Sequence, residues 1–227
     1  MDPASIDWQP VFITLQLAAT TVAVLLLIGT PIAWWLAHTP SRARPWVEAG
    51  VALPLVLPPT VLGFYLLIAL GTNGIIGGPF QSITGSSLAF SFTGLVIAST
   101  LYSLPFVVQP LQGAFEAAGT SYLEAAWSLR ASKWDAFVSV ASPMAVRGYL
   151  TAMVLGFAHT LGEFGVVLMV GGNIPGKTKV VSIAIYDHVE ALEYSHAHLL
   201  SGGLLIFSFL VLLIVYVFNR RLPVHLS

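Results

Sequence analysis

Five apolar segments, each close to the length that crosses a lipid bilayer, constrain this chain more than any other feature. They run from Val11 to Ala37, Glu48 to Leu70, Phe92 to about Gly113, about Gly148 to Val170, and Leu199 to Phe218. A hydrocarbon core of about 30 Å needs roughly 20 helical residues to span it. No water at that depth satisfies a stray amide or carbonyl, so each span must close its own hydrogen bonds as a helix. The chain is 56% hydrophobic and 8% charged, against about 25% charged in an average soluble domain. It therefore reads as one all-α integral membrane domain over residues 1–227, with about five transmembrane helices. Lys179 to Val189 is amphipathic but too short and polar for a sixth span, and is expected to be a re-entrant or surface helix.

Sidedness follows from the basic residues. With the N-terminus outside and the C-terminus in the cytoplasm, Arg42, Arg44, Arg130, Lys133, Arg147, Arg220 and Arg221 are cytoplasmic, and only Lys177 and Lys179 lie outside. That is the bias expected of loops that remain on the inner side. The first span is too long for a cleaved signal peptide, and its flank carries Asp2 and Asp7 rather than Lys or Arg. With no cysteine and a formal net charge of −1, neither a thiolate metal site nor a nucleic-acid partner is expected.

Two spans carry irregularities. Pro54, Pro58 and Pro59 interrupt the second; each removes a backbone donor and obstructs the preceding turn, so one straight helix is excluded. The break could line a pathway, act as a hinge, or simply aid packing. In the fourth, Gly148, Ala152, Gly156 and Thr160 form a ridge of small side chains. Such a ridge lets another helix approach closely, here or across a subunit boundary. Further along lies His159-Thr-Leu-Gly162-Glu163-Phe164-Gly165. An ionisable group within a span usually faces a cavity or a partner. At ~1.5 Å per residue, Glu163 lies nearer the outer face than Gly148. It is expected either to be tied to His159, one turn away, and to nearby amides, or to meet the substrate. A fixed carboxylate repels an anion, which favours a structural or gating role.

Gly171-Gly-Asn173-Ile-Pro175-Gly176-Lys177-Thr178 matches the phosphate-loop pattern letter for letter. That pattern works when amides between a buried strand and a helix cradle phosphates. Here a membrane helix precedes it, sidedness places it outside, and Pro175 deletes one of the amides. An outer loop that contacts an external partner is the expected role. His188, His196 and His198 also fall near the outer side, but spacings of eight and two with no carboxylate-rich context give no metal site by the usual ligand patterns.

Between the third and fourth spans lies a polar, amphipathic island, Glu124 to Pro143. Two short cytoplasmic helices fit it, about Ser121 to Leu129 and Lys133 to Ala141, with Ser132 as N-cap of the second. The first displays Tyr122, Leu123, Ala126 and Trp127; the second displays Trp134, Phe137 and Val138. Aromatic faces on short polar helices suit insertion into a groove on another protein, or packing on the membrane surface.

Here the sequence resembles a known family. Glu124-Ala125-Ala126 followed by a turn and Pro143 looks like the EAA loop of ABC-importer permeases. LPLVLPP at 53–59, LGEFG at 161–165, GNIPGKT at 172–178 and SIAIY at 182–186 resemble the permeases of molybdate importers, with sulfate/thiosulfate and tungstate permeases as relatives. The resemblance implies a type I importer permease of five spans plus a pair of coupling helices within residues 120–143. It further implies a homodimer in the bacterial inner membrane, bathed in lipid. Two cytoplasmic ATP-binding subunits would grip Glu124, Ala125, Ala126, Trp127, Arg130, Trp134 and Pro143, and a periplasmic oxyanion-binding protein would deliver molybdate. The chain itself would catalyse nothing and hold no cofactor, ATP and Mg residing on the ATPase; Pro54, Pro58, Pro59, His159, Gly162, Glu163, Phe164 and Gly165 would line the pathway or gate.

Two positions depart from the family. Arg130 stands where a turn glycine is usual, so the turn is expected either to change shape or to hold Arg130 helical against the ATPase. His159 stands where an Arg is common, which removes a permanent cation. An ATPase-independent secondary transporter is the contrasting reading, but it calls for paired intramembrane carboxylates or inverted repeats, and the sequence shows neither.

Overall fold

The computed structural model describes residues 7–221, so Asp2 lies outside the described residues. In chain order the helices are α1 (Gln9–His38), α2 (Arg44–Val56), α3 (Pro59–Leu70), α4 (Gly77–Thr84), α5 (Phe92–Ala118), α6 (Ser121–Ser128), α7 (Lys133–Ala136), α8 (Ser142–Met144), α9 (Val146–Leu161), α10 (Gly165–Gly171), α11 (Val181–Glu190) and α12 (Tyr194–Arg221). A π-helical turn, Phe137–Ala141, joins α7 to α8. Among the described residues, α1, α5 and α12 are each long and apolar enough to cross a membrane, and two bent helix pairs raise the number of candidate spans to as many as five.

The second span breaks where the prolines require it. A residue before proline is pushed out of the helical region, and Leu57 and Pro58, each followed by a proline, take ψ of 135° and 137°. Pro59 then starts α3 at the helix position that tolerates proline, and α2 and α3 meet at 113°. Pro54 stays inside α2.

The fourth span is not continuous from 148 to 170. Sixteen residues of α9 rise only about 24 Å at ~1.5 Å per residue, short of the bilayer core. Gly162 and Gly165 flank a break where helix propensity is poor, and α10 resumes beyond it. One carbonyl freed at the break, that of Glu163, accepts the Ser182 hydroxyl at 2.6 Å. This is how irregular backbone survives at membrane depth.

α1, α5 and α9 form the centre of the bundle around Leu25, Leu36, Val107, Val108, Leu111, Phe115 and Ala152. The small-residue ridge of α9 is buried there. A Cβ on Gly156 would lie 2.9 Å from Val107 Cγ2, and one on Gly148 would clash with Ala114. The close contact that the ridge makes is thus with α5 of the same chain. Overpacking a tight contact costs about 1–3 kcal/mol, so Gly148→Leu is expected to lower the thermal midpoint of the purified protein; an unchanged midpoint would refute this packing.

Toward the other end, Ile13, Leu17, Leu95, Val167, Val180 and Ile183 bring α1, α5, α10 and α11 together. Leu66, Leu70, Ala98, Val166 and Val170 seat α3 against α5 and α10. α11 is a short helix held to α1 by the Val181 amide donating to Thr14 Oγ1 at 2.8 Å, with Val181, Ile183 and Ala184 buried against the bundle. α4 is a further short helix that the hydropathy pattern does not announce. α12 is largely exposed along its apolar length, with Leu205, Ile206, Phe209 and Ile214 all uncovered.

Candidate functional site

The coupling region stands at one end of the bundle. Ser132 caps the second of its helices, its Oγ accepting from the Asp135 amide at 3.1 Å. The helical stretch Lys133–Met144 meets α9 at 71°, so it lies across the end of the span rather than continuing it. Tyr122, Trp127, Leu129, Trp134 and Val138 are exposed, Trp134 by 73% and Leu129 by 85%. Glu124, Ala125, Arg130 and Pro143 are exposed beside them.

Leu123, Ala126 and Phe137 do not belong to that outward face. Leu123 and Ala136 are buried in a cluster with Ala141, against which Trp34, Ala126 and Phe137 pack. Short helices lying across a bundle end have apolar neighbours on one side and solvent on the other, so half of each apolar face turns inward. The inward half is held by aromatic contacts that the sequence reading missed. Trp34 of α1 sits 5.1 Å from both Phe115 of α5 and Phe137, in edge-on geometry, and Phe115 touches Tyr149 of α9 at 6.1 Å. Edge-to-face ring pairs add about 0.5–1.5 kcal/mol beyond area burial. The coupling helices are thereby fixed to all three central spans.

The turn between them corrects both expectations for Arg130. Its φ is 65°, in the left-handed region. The Ala131 amide donates to Ala126 O at 3.0 Å and the Arg130 amide to Trp127 O at 2.9 Å, the paired bonds of a Schellman cap. The turn thus has the shape a glycine would give, with an arginine forced into it. Left-handed backbone costs a residue with Cβ about 1 kcal/mol. Arg130→Gly is therefore expected to raise the thermal midpoint, and a drop would contradict this assignment.

Behind the coupling region, Arg44 bridges α2 and α5, with Nε 2.8 Å from Glu48 and Nη2 2.7 Å from Glu116. Gln112 donates to both carboxylates at 3.0 and 3.1 Å.

Mid-bundle, Pro59, Thr60, Tyr102, Ala158, His159, Gly162, Glu163, Phe164 and Gly165 line a cavity of about 590 Å³. The two helix breaks meet here: a Cβ on Gly165 would lie 2.8 Å from Pro59 Cβ. Of the expected gate residues, Pro54 and Pro58 are not among those lining it. His159 is not bound to Glu163. Its Nδ1 lies 2.8 Å from Ser103 Oγ, and its ring stacks on Phe106 at 4.0 Å. Because α9 ends at Leu161, the one-turn relation between 159 and 163 does not exist. Glu163 is 4% exposed, and neither carboxylate oxygen has a hydrogen-bond partner among the described residues. Thr60, Tyr102 and Ser103 could be found only once the spans were packed, since nothing in their spacing marks them.

At the opposite end, the phosphate-loop look-alike is closed. The amides of Lys177, Thr178 and Lys179 all donate to Ile174 O, at 3.0–3.1 Å, and Thr178 is buried with its hydroxyl on Gly171 O at 2.7 Å. The loop has no free amide cradle, and Thr178 is inaccessible to an external partner. Asn173, Pro175, Gly176 and Lys177 remain exposed. Asn173 and Lys179 both bind Asp187. Burial alone would raise the Asp187 carboxyl; hydrogen bonds from Lys179 and Asn173 outweigh it and hold the group below its ordinary range.

The sequence matches the family described as "Binding-protein-dependent transport system inner membrane component" over residues 29–223. It is 58% identical over 221 residues to the molybdenum transport system permease protein ModB of Azotobacter vinelandii, covering 97% of each chain. It is 35% identical over 215 residues to the probable sulfate transport system permease protein cysT of Zygnema circumcarinatum, covering 94% of this chain and 73% of that one. Among solved structures, the MetNI methionine ABC transporter in inward-facing form has a similar fold, with a TM-score of 0.74 at 17% identity over 97% of this chain and 98% of that one.

Proposed function

This chain belongs to the binding-protein-dependent transport system inner membrane components, and on that footing we propose that two copies of it form the membrane pathway of an ATP-driven molybdate importer. It is a multi-pass permease of the ABC-importer class and a transport subunit, not an enzyme. The identity of 58% over nearly the whole chain to a molybdenum permease carries the substrate reading; the exposed aromatic face at the coupling end carries the mechanism. ATP and Mg reside on two separate cytoplasmic subunits, and a periplasmic protein delivers the anion. The basic residues Arg42, Arg44, Arg130, Lys133 and Arg147 cluster at the coupling end, which supports a cytoplasmic placement of that end and an outer start for α1.

The coupling geometry supports a direct transmission of force. When the ATPases close on Tyr122, Trp127 and Trp134, the rod Lys133–Met144 moves with them. Trp34, Phe115 and Tyr149 pass that motion to α1, α5 and α9. α9 carries His159 in its last turn and ends at the break that carries Glu163, so rotation of α9 reshapes the cavity where α3 and α10 begin. Hydroxyls of Thr60 and Tyr102 offer donors to a passing oxyanion. Passage needs sites weak enough to release the ion.

Sulfate is the second reading, favoured by the sulfate-permease relative. Proteoliposomes holding the chain, its ATPase and its binding protein distinguish the two. Molybdate should accumulate with ATP in the presence of about a hundredfold excess of sulfate, a preference of about 2.7 kcal/mol or more. Sulfate accumulation with abolished molybdate uptake would overturn the molybdate assignment.

A further inference from the structure

The turn between α11 and α12 brings together three side chains whose sequence spacing conceals them. His188 lies in the last turn of α11. The Glu193 amide donates to His188 O at 2.8 Å and the Leu192 amide to Val189 O at 3.1 Å. These bonds close the helix with Leu192 in the left-handed region, at φ 58°. The chain doubles back, so Glu193 lies over His188 and the first turn of α12 presents His196. Glu193 Oε2 is 2.8 Å from His188 Nδ1 and 3.8 Å from His196 Nδ1. The two imidazoles stack, with centroids 5.2 Å apart, and the three donor atoms lie within 4.8 Å of one another.

We propose that His188, Glu193 and His196 form a three-ligand site for a borderline divalent cation of the zinc class, at the bundle end opposite the coupling helices. Two imidazole nitrogens and one carboxylate oxygen are the donor set such ions take, with a fourth position left to water. Tetrahedral bonds of about 2.0–2.2 Å hold donor atoms roughly 3.3 Å apart, so small side-chain rotations, chiefly of the exposed Glu193 between two half-buried histidines, close the site. An adjoining cavity of about 140 Å³, lined in part by Asp7, Lys179, His188 and His196, leaves room for that water. The nearby cation, Lys179, is paired with Asp187 at 2.5 Å and so opposes an incoming metal little. His198 is not a member, since it lines a separate apolar groove with Trp8 and Phe207. A bound ion would pin α11 to α12.

The inference goes beyond the transport reading and does not depend on it. It is tested by zinc titration of the full transporter, purified without a polyhistidine tag, with thermal midpoint as a second readout. Wild type is expected to bind one zinc per chain and to gain thermal stability from it. His188→Ala, His196→Ala and Glu193→Gln should each weaken binding at least about tenfold and lose the thermal gain, while His198→Ala should match wild type. Equal zinc binding by wild type and His188→Ala would overturn the site and show that Glu193 only bridges two imidazoles.

Discussion

Trp134→Asp is expected to abolish ATP-driven uptake while leaving membrane insertion and the fold intact. Trp134 is 73% exposed, so its removal takes little from the folded chain itself. Its ring stacks on Phe137 at 5.7 Å, which pre-orders it, and exposed, rigid tryptophans are the side chains that carry the most binding energy at interfaces. Replacing such an anchor with a charge typically costs about 2–4 kcal/mol, or roughly thirtyfold to several-hundredfold in affinity. Co-purification of the ATPase with the variant chain measures this directly. Retention of the ATPase at wild-type levels, with normal uptake, would mean the aromatic face is not the docking surface.

Gly165→Leu acts on the other half of the mechanism and should separate from the first variant in its readouts. A Cβ at Gly165 would lie 2.8 Å from Pro59 Cβ, so a larger side chain must push the start of α10 away from the start of α3. Overpacking of this kind costs about 1–3 kcal/mol, and here the displaced atoms line the cavity. Uptake is expected to fall at least about tenfold, while the ATPase still co-purifies because the coupling end is remote. Gly165→Ala should show a smaller loss of the same kind. Uptake by Gly165→Leu equal to wild type would contradict a functional meeting of the two breaks.

Much of this arrangement is legible in the sequence because strong local rules act there. Consecutive prolines dictated the break at Leu57 and Pro58, the serine before Lys133 capped the coupling helix, and the small residues of α9 required a close neighbour. Each of these follows from covalent geometry or from steric size, which a residue carries with it. What the sequence did not reveal depends on which neighbour arrives. The ridge on α9 specifies closeness but not the partner, which proved to be α5 of the same chain. Helical spacing allows a pairing of Glu163 with His159, and the end of α9 at Leu161, just before Gly162, removes it. Leu123, Ala126 and Phe137 share apolar character with Trp127 and Trp134, and only the bundle beneath decides which of them turn inward. Trp34 is one of three aromatic residues in α1, with Phe12 and Trp35, and its place at the junction exists only after folding. Arg130 is the instructive case: the backbone keeps the left-handed turn that a glycine would take, although the side chain there is an arginine.

The most direct test is molybdate accumulation in proteoliposomes containing this chain and its binding protein, with and without the ATPase subunit. With the ATPase and Mg-ATP present, the account predicts accumulation against a gradient; without the ATPase, it predicts none. Wild-type accumulation in vesicles that lack any ATPase, driven by an ion gradient alone, would contradict it.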